Sequence, residues 1–185
     1  MTETYAIRER LRNLLIEKAY LTGDFVLTSG KRSSHYFDTK QVTLDGEGLP
    51  LCADLIVAKM RAAGIKVIGG LTLGADPLVA GVVDAGYRLG YPIGGYIARK
   101  EPKKHGTTGW IEGPVEAGMR VAVIDDVVTS GGSLIRAIDI SRQEMLEPLV
   151  AYALVDRGEG GAENVAKTGV PFEPLFRYSE LFPGT

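Results

Sequence analysis

The run Val121-Ala122-Val123-Ile124-Asp125-Asp126-Val127-Val128-Thr129-Ser130-Gly131-Gly132-Ser133-Leu134 constrains the fold more than any other stretch of the chain. Four apolar residues closed by two adjacent carboxylates read as the end of a strand buried on both faces. Small and hydroxylated residues then form a short loop, and helical spacing starts at Leu134 and continues to Met145. A buried strand that passes at once into a helix is a unit of a parallel α/β sheet. In such sheets ligands sit at the carboxyl ends of the strands, so this loop is the expected ligand site. Two charges at the end of a buried strand are too costly to be incidental.

The rest of the chain agrees. Ile7, Leu11, Leu14, Leu15 and Ala19 place an amphipathic helix over residues 4–20, ended near Gly23. Phe25-Val26-Leu27 predicts a short strand that turns at Ser29-Gly30, and residues 35–38 a second extended piece. Residues 48–63 return to helical spacing, with Gly64 as the C-cap. Strands are predicted over residues 67–71, 92–98 and 150–155, and Asp76-Pro77 opens a helix towards Leu89. The expectation is one α/β domain over residues 1–185, a mostly parallel central sheet flanked by helices, without internal repeats. One segment breaks the alternation. Residues 99–113 carry Arg99, Lys100, Lys103, Lys104, His105, Pro102 and the glycines Gly106, Gly109 and Gly113, where a crossover helix is the norm. A long polar loop in a compact domain is a functional candidate.

Composition narrows the function classes. The chain has 185 residues, 45% hydrophobic and 24% charged, as in ordinary globular proteins. Its net charge of −2 gives no general case for nucleic acid or an anionic membrane. The single cysteine, Cys52, lies in an apolar run and reads as a packed thiol; with only His35 and His105 beside it, neither a disulfide nor a Cys/His zinc site is expected. The N-terminal segment carries Glu3, Arg8, Glu9, Arg10 and Arg12 and lacks the apolar stretch of a signal peptide. No apolar run approaches the ~20 residues that span a bilayer. A cytoplasmic protein is expected.

The chemistry follows from the 121–134 run. Backbone N–H groups of Thr129 to Ser133 at a helix N-terminus suit a phosphate, and the hydroxyls of Thr129, Ser130 and Ser133 add donors. Asp125 and Asp126 repel phosphate, so they face another part of the ligand: sugar hydroxyls, or a hydrated Mg²⁺ bridging to a polyphosphate. The implied ligand is a phosphorylated sugar. The bland alternative is a βα turn capped by Ser or Thr with no ligand. Rival nucleotide signatures are missing: there is no G-x-x-x-x-G-K-[ST] and no G-x-G-x-x-G after a strand.

This run closely resembles the motif of type I phosphoribosyltransferases that binds 5-phosphoribosyl 1-diphosphate (PRPP). Three further segments resemble the orotate phosphoribosyltransferase family. They are Phe25 to Asp38, the loop pattern Arg99-Lys100-x-x-Lys103-x-His105-Gly106, and Val155-Asp156-Arg157-Gly158-Glu159-Gly160-Gly161. The four segments occur in the family's order. The resemblance implies the type I phosphoribosyltransferase fold, with a small hood from the N- and C-terminal segments, about residues 1–45 and 158–185, and a mobile catalytic loop, about 99–114.

The implied reaction is transfer of ribose 5-phosphate from PRPP to orotate, giving orotidine 5′-monophosphate and pyrophosphate in de novo pyrimidine (UMP) biosynthesis. By resemblance, Lys103, His105 and Asp126 are catalytic. Arg99, Lys100, Lys103, His105, Asp125, Asp126 and the stretch Val127, Val128, Thr129, Ser130, Gly131, Gly132 and Ser133 bind PRPP. Thr129, Arg157, Tyr36 and Phe37 bind orotate. The implied cofactor is Mg²⁺, held mainly by PRPP and water near Asp125 rather than by direct protein ligands. Lys100, Lys103 and His105 are implied to reach into the partner subunit of a homodimer. No nucleic-acid or membrane partner is expected.

The chain departs from the family in two places. Many relatives have a lysine where this chain has Thr28, and another in the loop that here reads Leu71-Thr72-Leu73-Gly74-Ala75-Asp76-Pro77. Lys31 is a candidate substitute, and the turn at Gly74 can still offer backbone N–H groups. Competing readings are transfer to a purine or uracil, a regulatory protein that senses PRPP, and a PRPP synthetase-like enzyme. The last needs about twice this length.

Overall fold

The computed structural model describes residues 3–26, 32–102 and 109–183. The chain opens with helix α1 (Glu3–Leu14), one π-type turn (Leu15–Ala19) and an antiparallel pair, β1 (Tyr20–Val26) and β2 (Arg32–Phe37). A short turn, α2 (Lys40–Thr43), and the long helix α3 (Gly48–Ala63) lead into the sheet. Then come β3 (Val67–Leu71), α4 (Asp76–Arg88), β4 (Gly94–Ala98), β5 (Ile111–Glu112), β6 (Arg120–Val128), α5 (Gly132–Gln143) and β7 (Glu147–Asp156). The chain ends with α6 (Gly161–Ala166), β8 (Phe172–Arg177) and α7 (Tyr178–Leu181).

The six-stranded sheet has the order β5-β4-β3-β6-β7-β8, parallel except for β5, which runs antiparallel to β4. Alternation along β6 explains the three layers. Ala122 and Ile124 face a core shared with Leu11, Ile56, Met60, Leu78 and Val82 of α1, α3 and α4. Val121 and Val123 face the opposite core with Leu134, Ala137 and Ile138 of α5. A strand buried on both faces has no polar side to expose, which is why its sequence is uniformly apolar from Val121 to Ile124.

Two expectations shift. The first helix stops at Leu14 and its π-type turn at Ala19, because Tyr20 already pairs with Phe37 and the Ala19 carbonyl accepts the Asp38 N–H at 2.8 Å. Gly23 therefore lies within β1. Strand β6 does not end at the acid pair: Asp125, Val127 and Val128 still pair with Ala153, Val155 and Asp156 of β7, so the loop proper begins at Thr129. The short elements β5, α6, β8 and α7 carry too little periodicity to be predicted. Among the described residues no helix is long and apolar enough to cross a membrane.

Candidate active site

The acid pair is the most densely bonded polar feature at the carboxyl end of the sheet. Both carboxylates are buried. Asp125 Oδ1 accepts the Asp126 N–H at 2.9 Å, and Asp126 Oδ1 accepts the Val127 N–H at 3.0 Å. Asp126 Oδ2 accepts two further bonds, from the Thr39 hydroxyl at 2.9 Å and the Lys40 ammonium at 2.8 Å. Burial first, then the neighbouring Asp126 charge, push the Asp125 carboxyl up to about 7. Burial pushes Asp126 the same way, but the hydrogen bond and charge of Lys40, with the Thr39 hydroxyl, outweigh it and hold Asp126 below the usual carboxylate range. Near neutral pH the free site thus holds one firm negative charge on Asp126 and a proton poised on Asp125.

The loop after the pair is exposed at Thr129, Ser130, Gly132 and Ser133 and braced from behind. Asn164 of α6 donates to the Ser130 carbonyl at 3.0 Å. Gly131 has φ +83 and lies against Gly161, so a side chain there meets both backbone strain and the α6 terminus. The first N–H groups of α5 have no partners within the helix. The exposed hydroxylated residues thus stand on a fixed support at the start of α5.

Gly74 lies against the acid pair. A Cβ built at this position overlaps Asp126 Oδ1 and comes within 3.0 Å of Asp125 Oδ1. With the acid pair so placed, no side chain fits at position 74, lysine included. The turn around it is held by the Thr72 hydroxyl on Asp76 at 2.8 Å.

Arg157 follows the end of β7, beside the β6 loop, where its N–H bonds the Val128 carbonyl at 2.8 Å. Its guanidinium pairs with Glu159 at 3.1 Å and lies over the Tyr178 ring at 4.9 Å. Its Nε is buried with no hydrogen-bond partner. The expected aromatic pair is split by strand alternation. Tyr36 is 44% exposed and packs on Phe25, with ring centroids 5.5 Å apart. Phe37 is 7% exposed and meets Tyr178 and Phe182 edge-on at 5.4 and 6.0 Å. Its ring belongs to the core, which differs from the expectation that both rings face a base.

At the base of the 99–114 loop, Arg99 pairs with Glu112 at 3.1 Å and its N–H bonds the Trp110 carbonyl at 2.8 Å. Lys100 is exposed, and its carbonyl accepts a bond from Arg136, whose guanidinium lies 5.9 Å over Trp110. Lys103, Lys104, His105 and Gly106 lie outside the described residues, as do Thr28 and Lys31.

Sequence reasoning missed Thr39, Lys40 and Tyr178. The signal for the first two was Asp38-Thr39-Lys40, polar residues directly after the expected aromatic strand. Among the described residues no three or more His, Cys, Asp or Glu groups gather to hold a metal ion.

No family model matches the chain. The chain is 41% identical over 177 residues to the orotate phosphoribosyltransferase of Aquifex aeolicus, covering 94% of this chain and 97% of that protein. A crystal structure of the Mycobacterium tuberculosis H37Rv orotate phosphoribosyltransferase in complex with Fe(III) dicitrate superposes with a TM-score of 0.87 at 30% identity, covering 95% and 99% of the two chains. The same enzyme in complex with PRPP superposes with a TM-score of 0.81 at 28% identity, covering 95% and 98%. The parallel sheet flanked by helices is the type I phosphoribosyltransferase fold of these neighbours. With the carboxyl pair, the braced loop and Arg157 gathered at the carboxyl ends of the interior strands β6 and β7, and a sequence similar to these enzymes over almost its full length, the chain belongs to the orotate phosphoribosyltransferase family.

Proposed function

We propose that the chain transfers the ribose 5-phosphate unit of PRPP to orotate, with orotidine 5′-monophosphate and pyrophosphate as products. One observation carries this reading. A buried carboxylate pair lies near the carboxyl end of β6, which runs on through Val128 into a hydroxyl-lined loop and helix N-terminus, and Arg157 follows the end of the adjacent β7. The C1′–O bond breaks with its electron pair leaving on the diphosphate, and N1 of orotate bonds C1′ with loss of its proton. Positive charge gathers on the ribose and negative charge on the leaving group, so fixed charges decide the rate.

Ionised Asp126 lends a negative field to the ribose ring, and Asp125 offers a hydroxyl partner. Thr129 to Ser133 cradle the 5-phosphate. The planar guanidinium of Arg157 matches the orotate carboxylate bidentately. Tyr36 is the exposed ring available to the pyrimidine face. Arg99, Lys100, Lys103 and His105 supply cations over the diphosphate, and the loop of about 99–114 excludes water. The residues fit Mg²⁺ only as an outer partner. Both Asp126 oxygens and one of Asp125 already accept hydrogen bonds, which leaves at most one carboxyl oxygen rather than a cage. When bound, Mg²⁺ neutralises charge on the diphosphate. We place the hood at about residues 1–45 and 158–185, the site across a homodimer, and the enzyme in the cytoplasm, in keeping with one buried free thiol.

The test is loss of orotate absorbance on mixing the chain with PRPP and Mg²⁺, with uracil, hypoxanthine and adenine in parallel. Turnover of orotate alone is expected; turnover of another base instead would overturn the role of Arg157. Lys103→Ala should lower kcat strongly. Mixed Lys103→Ala and Asp126→Asn chains should regain activity if sites are shared between subunits.

A further inference from the structure

A polyphosphate that enters this site meets a corner already occupied by two carboxyl groups. What offsets that repulsion is visible on the N-terminal side. Lys40 stands at the start of α2 with its ammonium 2.8 Å from Asp126 Oδ2. Among the described residues Asp126 is the only hydrogen-bond acceptor of that ammonium, which has three N–H donors. The Lys40 side chain is 41% exposed and that of Asp126 only 10%, so the ammonium lies between the buried acid and open space.

Its placement is built. The Lys40 N–H bonds Asp38 Oδ1 at 3.1 Å, the Asp38 N–H bonds the Ala19 carbonyl at 2.8 Å, and the Thr39 hydroxyl shares Asp126 Oδ2. A side chain fixed this way loses little freedom when a ligand arrives. On the other oxygen of the same carboxylate Gly74 comes too close for any Cβ, so no cation reaches this corner from position 74.

We propose that Lys40 binds the diphosphate of PRPP directly, its ammonium bridging Asp126 and a diphosphate oxygen. The first turn after β2 then forms part of the leaving-group pocket. This rests on the reading that the chain uses PRPP. The rival account is that Lys40 only compensates the buried charge of Asp126.

The experiment measures binding of inorganic pyrophosphate with Mg²⁺ by calorimetry, a probe with no ribose for the acids to hold. It uses wild type, Lys40→Gln, Lys40→Arg, Asp126→Asn and the double variant Lys40→Gln/Asp126→Asn. Lys40→Gln should bind about 30-fold more weakly and Lys40→Arg within about fivefold of wild type. Asp126→Asn, relieved of repulsion, should bind at least as tightly as wild type. The double variant carries no unpaired buried charge, so it keeps the fold even if Lys40→Gln does not. It should again fall about 30-fold below Asp126→Asn. Equal affinity of the double variant and Asp126→Asn would overturn the proposal. If wild type turned over a base other than orotate, the base assignment would fall while Lys40-dependent pyrophosphate binding still supported the bridge. If wild type bound neither PRPP nor pyrophosphate, both readings would fail.

Discussion

The two ends of the site are built on opposite plans. The proposed phosphoribosyl end is a single stretch of chain, Asp125 to Ser133, in which the carboxyl groups are buried and held at 2.8–3.0 Å by backbone and side-chain donors. The proposed base end draws on Tyr36 on β2, Arg157 after β7 and Tyr178 on α7. There Tyr36 is exposed, Arg157 is held by Glu159 and a ring face, and one guanidinium nitrogen is buried without a partner. The difference follows the chemistry. Groups that meet developing charge gain from being fixed before the substrate arrives. A recognition group must exchange one carboxylate partner for another, so it gains from partners that can be given up.

Rigidity of the phosphoribosyl end has its largest consequence at Gly74. If the phosphoribosyl end is rigid, Gly74→Ala forces a Cβ into Asp126 and moves the acid proposed to face the ribose. We expect kcat/KM for PRPP to fall about 100-fold, roughly 3 kcal/mol of transition-state stabilisation. A loss below threefold would show that the pair yields, and that rigidity is not what separates the two ends. Arg157→Lys comes next. The lysine keeps the charge but loses the planar fork, so KM for orotate should rise about 30-fold while KM for PRPP stays within about twofold. Equal effects on both would mean that the two ends are not separable.

Legibility in the sequence divides along the same line. The β6 strand, its acids and its loop are contiguous, and a buried parallel strand admits only apolar residues, so Asp125 and Asp126 stand out by type alone. The helices α3, α4 and α5 were legible for the same reason, since each must cover a sheet face at a period of 3.6. Thr39, Lys40 and Tyr178 were not. Their roles depend on contacts with residues more than 20 positions away, Lys40 with Asp126 and Tyr178 with Arg157, and no local period records such pairings. Phe37 shows the converse: the motif that drew attention to the aromatic pair could not say which of two alternating rings faces inward.

The poised proton on Asp125 gives a stability test of the rigid end. Its carboxyl lies at about 7 in the folded protein, above its ordinary value of 3.8. The folded state therefore binds the proton more tightly. This contribution is complete below about pH 4 and is lost as pH rises towards and through 7, beyond which the buried charge is a standing cost. Asp125→Asn keeps the shape and cannot ionise. Its thermal midpoint should match wild type near pH 4 and exceed it by about 5 °C at pH 8, on the order of 2 kcal/mol. A constant offset at all pH values would mean that Asp125 ionises as easily as an exposed acid.

The smallest effect tests how the yielding end is held. The guanidinium of Arg157 lies over Tyr178, which is itself packed by Phe37 at 5.4 Å and Phe182 at 4.9 Å. The ring face attracts the cation without taking up a hydrogen-bonding direction, so on the proposed function it would keep Arg157 oriented as orotate displaces Glu159. An interaction of this kind at a partly exposed site is worth about 1 kcal/mol. Tyr178→Leu fills similar space without the ring face, and KM for orotate should rise about fivefold with kcat within about twofold. Tyr178→Phe keeps the face and should behave as wild type. If the leucine and phenylalanine variants were alike, the ring would serve only to fill the core beneath Phe37. The base end would then owe its orientation to Glu159, whose replacement by glutamine should in that case loosen orotate binding rather than tighten it.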